Sequence, residues 1–230
     1  RKRRMPETSA RKVNWDACEQ AMRSLPLTRR HWVVKHVAGH CGVNSKLKEW
    51  KKRESDECPM CEEEETAQHV WECQSPEARL VRSKGLYNIR KWMKLQRTCP
   101  DILRIITARM SSWAYGTRSY PQRSTRLGIQ EALQDQDDIG WTNFLEGCVA
   151  LEWTSIQDQY YKSISSRKSG RQWTIALIKK LFDVAWDLWE HRNGFAHGPE
   201  HVEEHYEMHE VDDEIRYQFG MGPAGLPQRY

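Results

Sequence analysis

Cys58-Pro59-Met60-Cys61 is followed after seven residues by His69-Val70-Trp71-Glu72-Cys73, and this stretch decides how the chain is organised. The spacing is C-x2-C-x7-H-x3-C. Zinc takes four tetrahedral ligands and favours thiolate and imidazole. A two-residue gap lets a tight turn aim two thiolates at one point. A three-residue gap sets His69 and Cys73 on the same face of one helical turn. The expected cofactor is therefore one Zn2+ held by Cys58, Cys61, His69 and Cys73. Four protein ligands close the shell to water, which makes the site structural. Such an ion supplies folding energy to a segment with few apolar residues.

Outward from this module the apolar residues recur at helical spacing. Upstream, Trp15, Cys18, Met22 and Leu25 predict a helix stopped by Pro26, and Trp32, Val33, His36 and Val37 predict a second that Gly39 and Gly42 end. Ser45 reads as an N-cap for a turn carrying Leu47 and Trp50. Residues 54–66 read as loop and 67–74 as a short helical turn. Downstream, Pro76 starts a helix with Leu80, Val81, Leu86, Ile89 and Trp92, with Gly85 a break or kink. Pro100 starts another with Ile102, Ile105, Ile106, Met110 and Trp113. Further helices are expected over Trp141–Tyr161, Thr174–His191 and, in an acidic segment, Glu200–Tyr217. The fold class is mainly α, a bundle-like helical architecture with a small CCHC zinc module. The expected division is a basic segment and first helix (1–24), a zinc-binding region with flanking helices (25–113), a linker (114–126), a helical C-terminal domain (127–219) and a loose tail (220–230).

The chain has 230 residues, 38% hydrophobic and 30% charged, enough apolar material for a sizeable core. No apolar run approaches the roughly 18 residues of a membrane span, and no apolar segment follows the basic N-terminus as in a secretory signal. The chain opens on Arg1, which fits a fragment or processed product. Seven cysteines, an odd number, argue for a reducing compartment and against a disulfide framework. Cys18, Cys41, Cys99 and Cys148 read as buried thiols. The expected location is intracellular, nuclear and/or cytoplasmic, with Arg1–Arg4 a candidate import signal.

The net charge of +4 hides an asymmetry. Arg29, Arg30, Lys35, Lys46, Lys48, Lys51, Lys52 and Arg53 precede the cysteines, whereas carboxylates dominate 200–214. A basic first quarter predicts a polyanion partner, RNA and/or DNA, against the plainer reading of a solvated surface. The acidic segment reads as a contact for a partner or for the chain's own basic region. Trp50 or Trp71 could stack on unpaired bases, but core packing accounts for most of the eleven tryptophans. Two further histidine groups compete as metal ligands: His36, His40 and Cys41, and the ladder His197, His201, His205 and His209. Both read more simply as core or surface histidines.

From Leu25 to about Arg82 the chain resembles the zinc-binding domain that follows the polymerase in non-LTR retrotransposon reverse transcriptases. The likeness is carried by Leu25-Pro26, the helix with Trp32 and Lys35, Ser45-Lys46-Leu47-Lys48-Glu49-Trp50, Cys58-Pro59-Met60-Cys61, and Glu65-Thr66-Ala67-Gln68-His69-Val70-Trp71-Glu72-Cys73. Trp189-Glu190-His191-Arg192-Asn193 is similar to a W-x-x-R-N helix near the end of such proteins. The resemblance implies a C-terminal piece of a retroelement polyprotein whose zinc module contacts template RNA or target DNA. No paired-aspartate polymerase motif is present, so the chain itself is read as non-catalytic. An alternative comes from Arg192-Asn193-Gly194-Phe195-Ala196-His197, which resembles the R-x4-6-H motif of HEPN ribonucleases. There Arg192, Asn193 and His197 would be catalytic, Arg192 stabilising phosphate charge and His197 moving a proton. A third reading is a protein–protein module with an acidic tail.

Overall fold

A computed structural model describes residues 5–115 and 127–198. Arg1–Arg4, the linker from 116 on, the acidic helix and its histidine ladder beyond His197, and the tail lie outside the described residues.

The described chain is helical, with two isolated antiparallel bridges, Val13 to Ala150 and Glu57 to Glu64. Its elements are α1 (Glu7–Ala10), α2 (Trp15–Arg23), α3 (Leu27–Val37), α4 (Asn44–Glu49), α5 (His69–Glu72), α6 (Pro76–Leu95), α7 (Pro100–Tyr115), α8 (Leu127–Ile139), α9 (Trp141–Leu145), α10 (Leu151–Ser163) and α11 (Gly170–Ala196).

α11 is the axis. It buries Trp173, Leu177, Ile178, Leu181, Phe182, Ala185 and Leu188 at helical spacing, and α2, α5, α6, α9 and α10 pack against it. It begins four residues before the expected Thr174. Ser169 accepts from the Gln172 N–H at 3.2 Å, and Asp158 Oδ1 accepts from the Gly170 N–H at 3.0 Å. A Cβ at Gly170 would lie 2.2 Å from the Thr154 carbonyl oxygen, so α10 and α11 cross where only glycine fits.

Gly85 is no break. α6 runs through it, and a Cβ there would lie 2.8 Å from Val184 Cγ1. Its missing side chain brings α6 against α11. The pair is antiparallel, with Gly85 at Val184 and Trp92 stacked on Trp173 at 6.5 Å. Leu80, expected on the buried face, is exposed.

The helix expected over Trp141–Tyr161 is two. Gly147 has φ +89° between α9 and α10, and a Cβ on it would lie 2.8 Å from the Phe182 ring. α8 was not expected. Its buried Gln136 clamps the loop after α9, donating to the Cys148 carbonyl (3.1 Å) and accepting from the Ala150 N–H (2.9 Å). α4 starts at Asn44, not after a Ser45 cap: the Glu65 carboxylate accepts the Asn44 N–H at 2.6 Å.

One apolar cluster joins Val13, Trp32, Ile89, Met93, Ile105, Phe144, Trp153 and Leu177. The core therefore runs across the boundary expected at 114–126, of which Ala114 and Tyr115 belong to α7. Only Trp15 and Trp50 among the tryptophans are exposed, in keeping with core packing. Cys41, Cys99 and Cys148 are buried and Cys18 half-buried. Burial pushes the Cys18 and Cys41 thiols up to about 11, which keeps them inert.

Candidate metal centre

Local hydrogen bonds build the cysteine turn. The Cys58 N–H donates to the Glu63 carbonyl at 2.7 Å, and the Glu62 N–H returns to the Cys58 carbonyl at 3.0 Å. Glu62 takes φ +63°, which folds the chain back after Cys61. The Met60 N–H points at Cys58 Sγ, 3.4 Å away. Thr66 Oγ1 accepts the His69 N–H at 3.1 Å and starts α5. The Cys73 N–H bonds the His69 carbonyl at 2.6 Å, so His69 and Cys73 sit one turn apart, as their spacing predicts.

The ligand atoms of Cys58, Cys61, His69 and Cys73 all lie within 4.8 Å of one another. Cys58 Sγ and Cys73 Sγ are 3.9 Å apart, and Cys61 Sγ and His69 Nε2 are 3.2 Å apart. A tetrahedral zinc shell puts S–S edges near about 3.8 Å and S–N edges near about 3.6 Å. A disulfide would need about 2.05 Å, and every cysteine is free. Three thiols and an imidazole thus converge with the chemistry and spacing of a metal ion. Among the described residues no other group of three or more His, Cys, Asp or Glu side chains does so. His36 is instead a core residue: it accepts the Trp71 indole N–H and packs between Trp32 and Trp71. Trp71 is thereby buried and removed as a stacking surface.

Ionisation is uneven within the cluster. The Cys58 thiol, with help from His69, donates to the Cys73 sulfur and holds Cys73 down to about 3 despite burial. Cys58 is pushed up by that donation and by burial, and Cys61 chiefly by burial. His69 is raised by the Cys73 thiolate, against burial. Glu63 Oε2 stands 3.7 Å from His69 Nδ1, on the side where a carboxylate orients a ligating imidazole.

Two arginines frame the centre, and neither was expected there. Arg82 is wholly buried and its Nη1 donates to the Trp71 and Cys73 carbonyls at 2.7 and 3.0 Å. Its Nε and Nη2 have no hydrogen-bond partner among the described residues. A dication with three thiolates and a neutral imidazole would carry one net negative charge, which the adjacent guanidinium would balance. Arg192 is 1% exposed and holds Glu65, itself 0% exposed, in a two-pronged pair of 2.7 and 2.5 Å. Asn44 completes the knot. Its Oδ1 accepts from Arg192 Nη2 at 3.0 Å, and its Nδ2 donates to the Glu57 carbonyl at 2.6 Å. The only sequence signal for this pair is that Glu65-Thr66 and the W-x-x-R-N helix each stand out separately; 127 residues apart, they meet.

This placement corrects the Arg192–Asn193–His197 alternative. The Arg192 guanidinium is buried against a carboxylate, and Asn193 Oδ1 accepts from it at 3.3 Å. His197 is exposed at the end of α11, with its N–H on the Asn193 carbonyl. A buried, carboxylate-bound guanidinium cannot face a phosphate beside that imidazole.

The expected nucleic-acid cations divide. Arg29 pairs with Asp183 at 3.2 Å over the Trp186 ring, and Arg30 donates to the Arg23 and Leu25 carbonyls. Arg53 donates to Asn44 Oδ1. These three brace the fold. Lys46 and Lys48 reach Glu49 (2.5 Å) and Asp56 (3.0 Å), whose carboxyls they hold below the usual range. Lys35, Lys51 and Lys52 are exposed with no ion pair among the described residues, and Trp50 is exposed beside the last two.

No described helix is long and apolar enough to cross a membrane. Comparison with protein-family models, with curated proteins and with solved structures returns no match.

Proposed function

We propose that the chain is a zinc-stabilised nucleic-acid-binding module, non-catalytic itself, from the C-terminal part of a retroelement reverse transcriptase polyprotein. The observation that carries this reading is the attachment of a basic segment to a closed Cys3His centre. α4 is tied to the metal loop through Asn44 to Glu57, Ser45 to Glu65 and Lys48 to Asp56. The ion thereby sets where Lys48, Trp50, Lys51 and Lys52 stand. Zinc is the ion that three thiolates and one imidazole in a closed tetrahedral shell select.

Exposed Glu54, Glu57, Glu62, Glu63 and Glu64 ring the cysteines. A polyanion therefore lies along α4 and residues 50–53, not over the metal. Phosphates bound there release counterions, and affinity falls with salt. The union of Glu65-Thr66 with Arg192-Asn193 supports the retroelement reading, because it joins two motifs of the resemblance in one unit.

The test is binding of single-stranded RNA, single-stranded DNA and duplex by the zinc-loaded chain across a salt series, repeated with Lys48→Ala, Lys51→Ala, Lys52→Ala. The reading expects salt-dependent binding to a single strand, with a logarithmic slope that falls by about 0.7 for each phosphate the variants no longer neutralise. No binding to any of the three would overturn it.

A further inference from the structure

We propose a second nucleic-acid surface, on α6, which takes a single strand by its phosphates and seats one unpaired base in the cleft between α6 and α7. It deepens the nucleic-acid reading above and rests on it.

α6 has 20 residues, about 30 Å of helix. Its inner side carries Ala78, Gly85, Ile89 and Met93. Its outer side carries Arg79, Lys84, Arg90, Lys91 and Lys94, all exposed. None of the five makes an ion pair among the described residues, whereas Lys46 and Lys48 of α4 each touch a carboxylate. The only acid on the outer side is Glu77, at the first turn.

Tyr87 stands in the middle of this stripe, 63% exposed. Lys84, Arg90, Lys91 and Lys94 lie three, three, four and seven residues from it, so they surround it on one helical face. Cations around an exposed aromatic are the arrangement that holds a backbone and stacks a base.

Beside Tyr87 the two helices enclose a cleft of about 170 Å³. This is well under the roughly 300 Å³ of a drug-sized pocket and leaves room for one small ring system. Met93, Ile106 and Met110 form an apolar floor, and Tyr87, Arg90 and Tyr115 stand at its sides. Ser83, Thr107 and Ser111 add hydroxyls. The Ser83 and Tyr115 hydroxyls bond each other at 2.6 Å, but the buried Thr107 Oγ1 has no hydrogen-bond partner among the described residues. An apolar floor with hydroxyl-bearing side chains at its edge suits a ligand with flat faces and a polar edge, which Thr107 Oγ1, closed to solvent here, would meet on turning about χ1. A base still in a duplex cannot enter, so the ligand is single-stranded. The metal centre orients this surface too: Cys73 ends two residues before Ser75, whose hydroxyl caps α6 by accepting from the Ala78 N–H at 3.2 Å.

The experiment uses the zinc-loaded full chain with a fluorescent 20-nucleotide single strand, as RNA and as DNA, the matching duplex, and phosphatidylserine vesicles. The variants are Lys84→Ala, Lys91→Ala, Lys94→Ala together, Tyr87→Ala, and Thr107→Val. All three lysines and Tyr87 are exposed, so these variants keep the fold. The triple variant should lower the logarithmic salt slope by about two. Tyr87→Ala should weaken single-strand binding about 5- to 150-fold with the slope unchanged and leave duplex binding as it was. Thr107→Val should change the preference among bases and not the slope. Ultraviolet crosslinking should place the strand on the peptide that contains Tyr87. RNA preference over DNA would name the source of the strand; equal binding would make it either. Normal binding by all the α6 variants, with crosslinks confined to residues 46–53, would overturn this inference and leave the α4 reading standing. No binding by the wild-type chain would overturn both. Vesicle binding abolished in the α6 variants, with strand binding intact, would reassign the surface to lipid.

Discussion

Between Lys52 and Gln74 the chain buries only Cys58, Val70, Trp71 and Cys73 among its apolar residues, whereas α11 buries Trp173, Leu177, Ile178, Leu181, Phe182, Val184, Ala185, Leu188 and Ala196. A buried large apolar side chain contributes roughly 1.5–3 kcal/mol. Val70 and Trp71 cannot order a stretch that carries seven exposed or half-exposed carboxylates, and a structural zinc of roughly 10–16 kcal/mol would. α11 needs no ion. On the proposed zinc reading, local metal chemistry orders one region and apolar packing the other, and the buried Arg192–Glu65 pair is where the two are joined.

Metal removal breaks that comparison hardest. In the chelated protein, amide exchange should become fast over residues 54–73 and stay slow over 173–188, as hydrogen-exchange mass spectrometry can show. Equal loss of protection in both stretches would mean that the ion organises the whole core. Next in size is the joint itself. Arg192→Met should cost about 3–5 kcal/mol, because Glu65 is left buried without a partner. The double variant Arg192→Met, Glu65→Leu should recover much of that, measured by denaturant unfolding as a double-mutant cycle. Ile178→Ala sharpens the other side, with a loss of about 2–5 kcal/mol in the helical core and an unchanged metal affinity. Arg82→Met should weaken metal binding about 10- to 100-fold in competition with a chelator, and Arg82→Lys should lose less.

Metal affinity also carries a pH dependence that follows from the ionisation of the cluster. Cys58 and Cys61 are raised and so carry protons at neutral pH, while Cys73, at about 3, does not. A metal must displace the two thiol protons, and below the raised pKa of His69 a third. Affinity therefore rises with pH throughout the neutral range, by about two protons per ion. Calorimetry in buffers of different ionisation enthalpy counts them. A pH-independent affinity would contradict this ionisation pattern.

The Cys3His cluster was legible because convergence of a turn and a helical turn is written in local spacing. The long helices were legible for a similar reason, since α7 and α11 show their apolar period directly. α8 was hidden by Gln134, Asp135, Gln136, Asp137 and Asp138, a polar run in which Gln136 faces inward to clamp a distant loop. The break at Gly147 and the continuity at Gly85 depend on what lies opposite, Phe182 in one case and Val184 in the other. Arg192 reads as a candidate catalytic group because its partner is 127 residues away. The basic side of α6 was in plain view, but only burial separates Arg82, which faces the metal centre, from its outward-facing neighbours.

The most direct measurement is zinc per chain by elemental analysis, for the wild-type protein and for Cys58→Ser, Cys61→Ser. A closed four-ligand centre gives about one zinc per wild-type chain and essentially none in the double variant. No zinc in the wild-type chain, or zinc retained without those two thiols, would contradict the account.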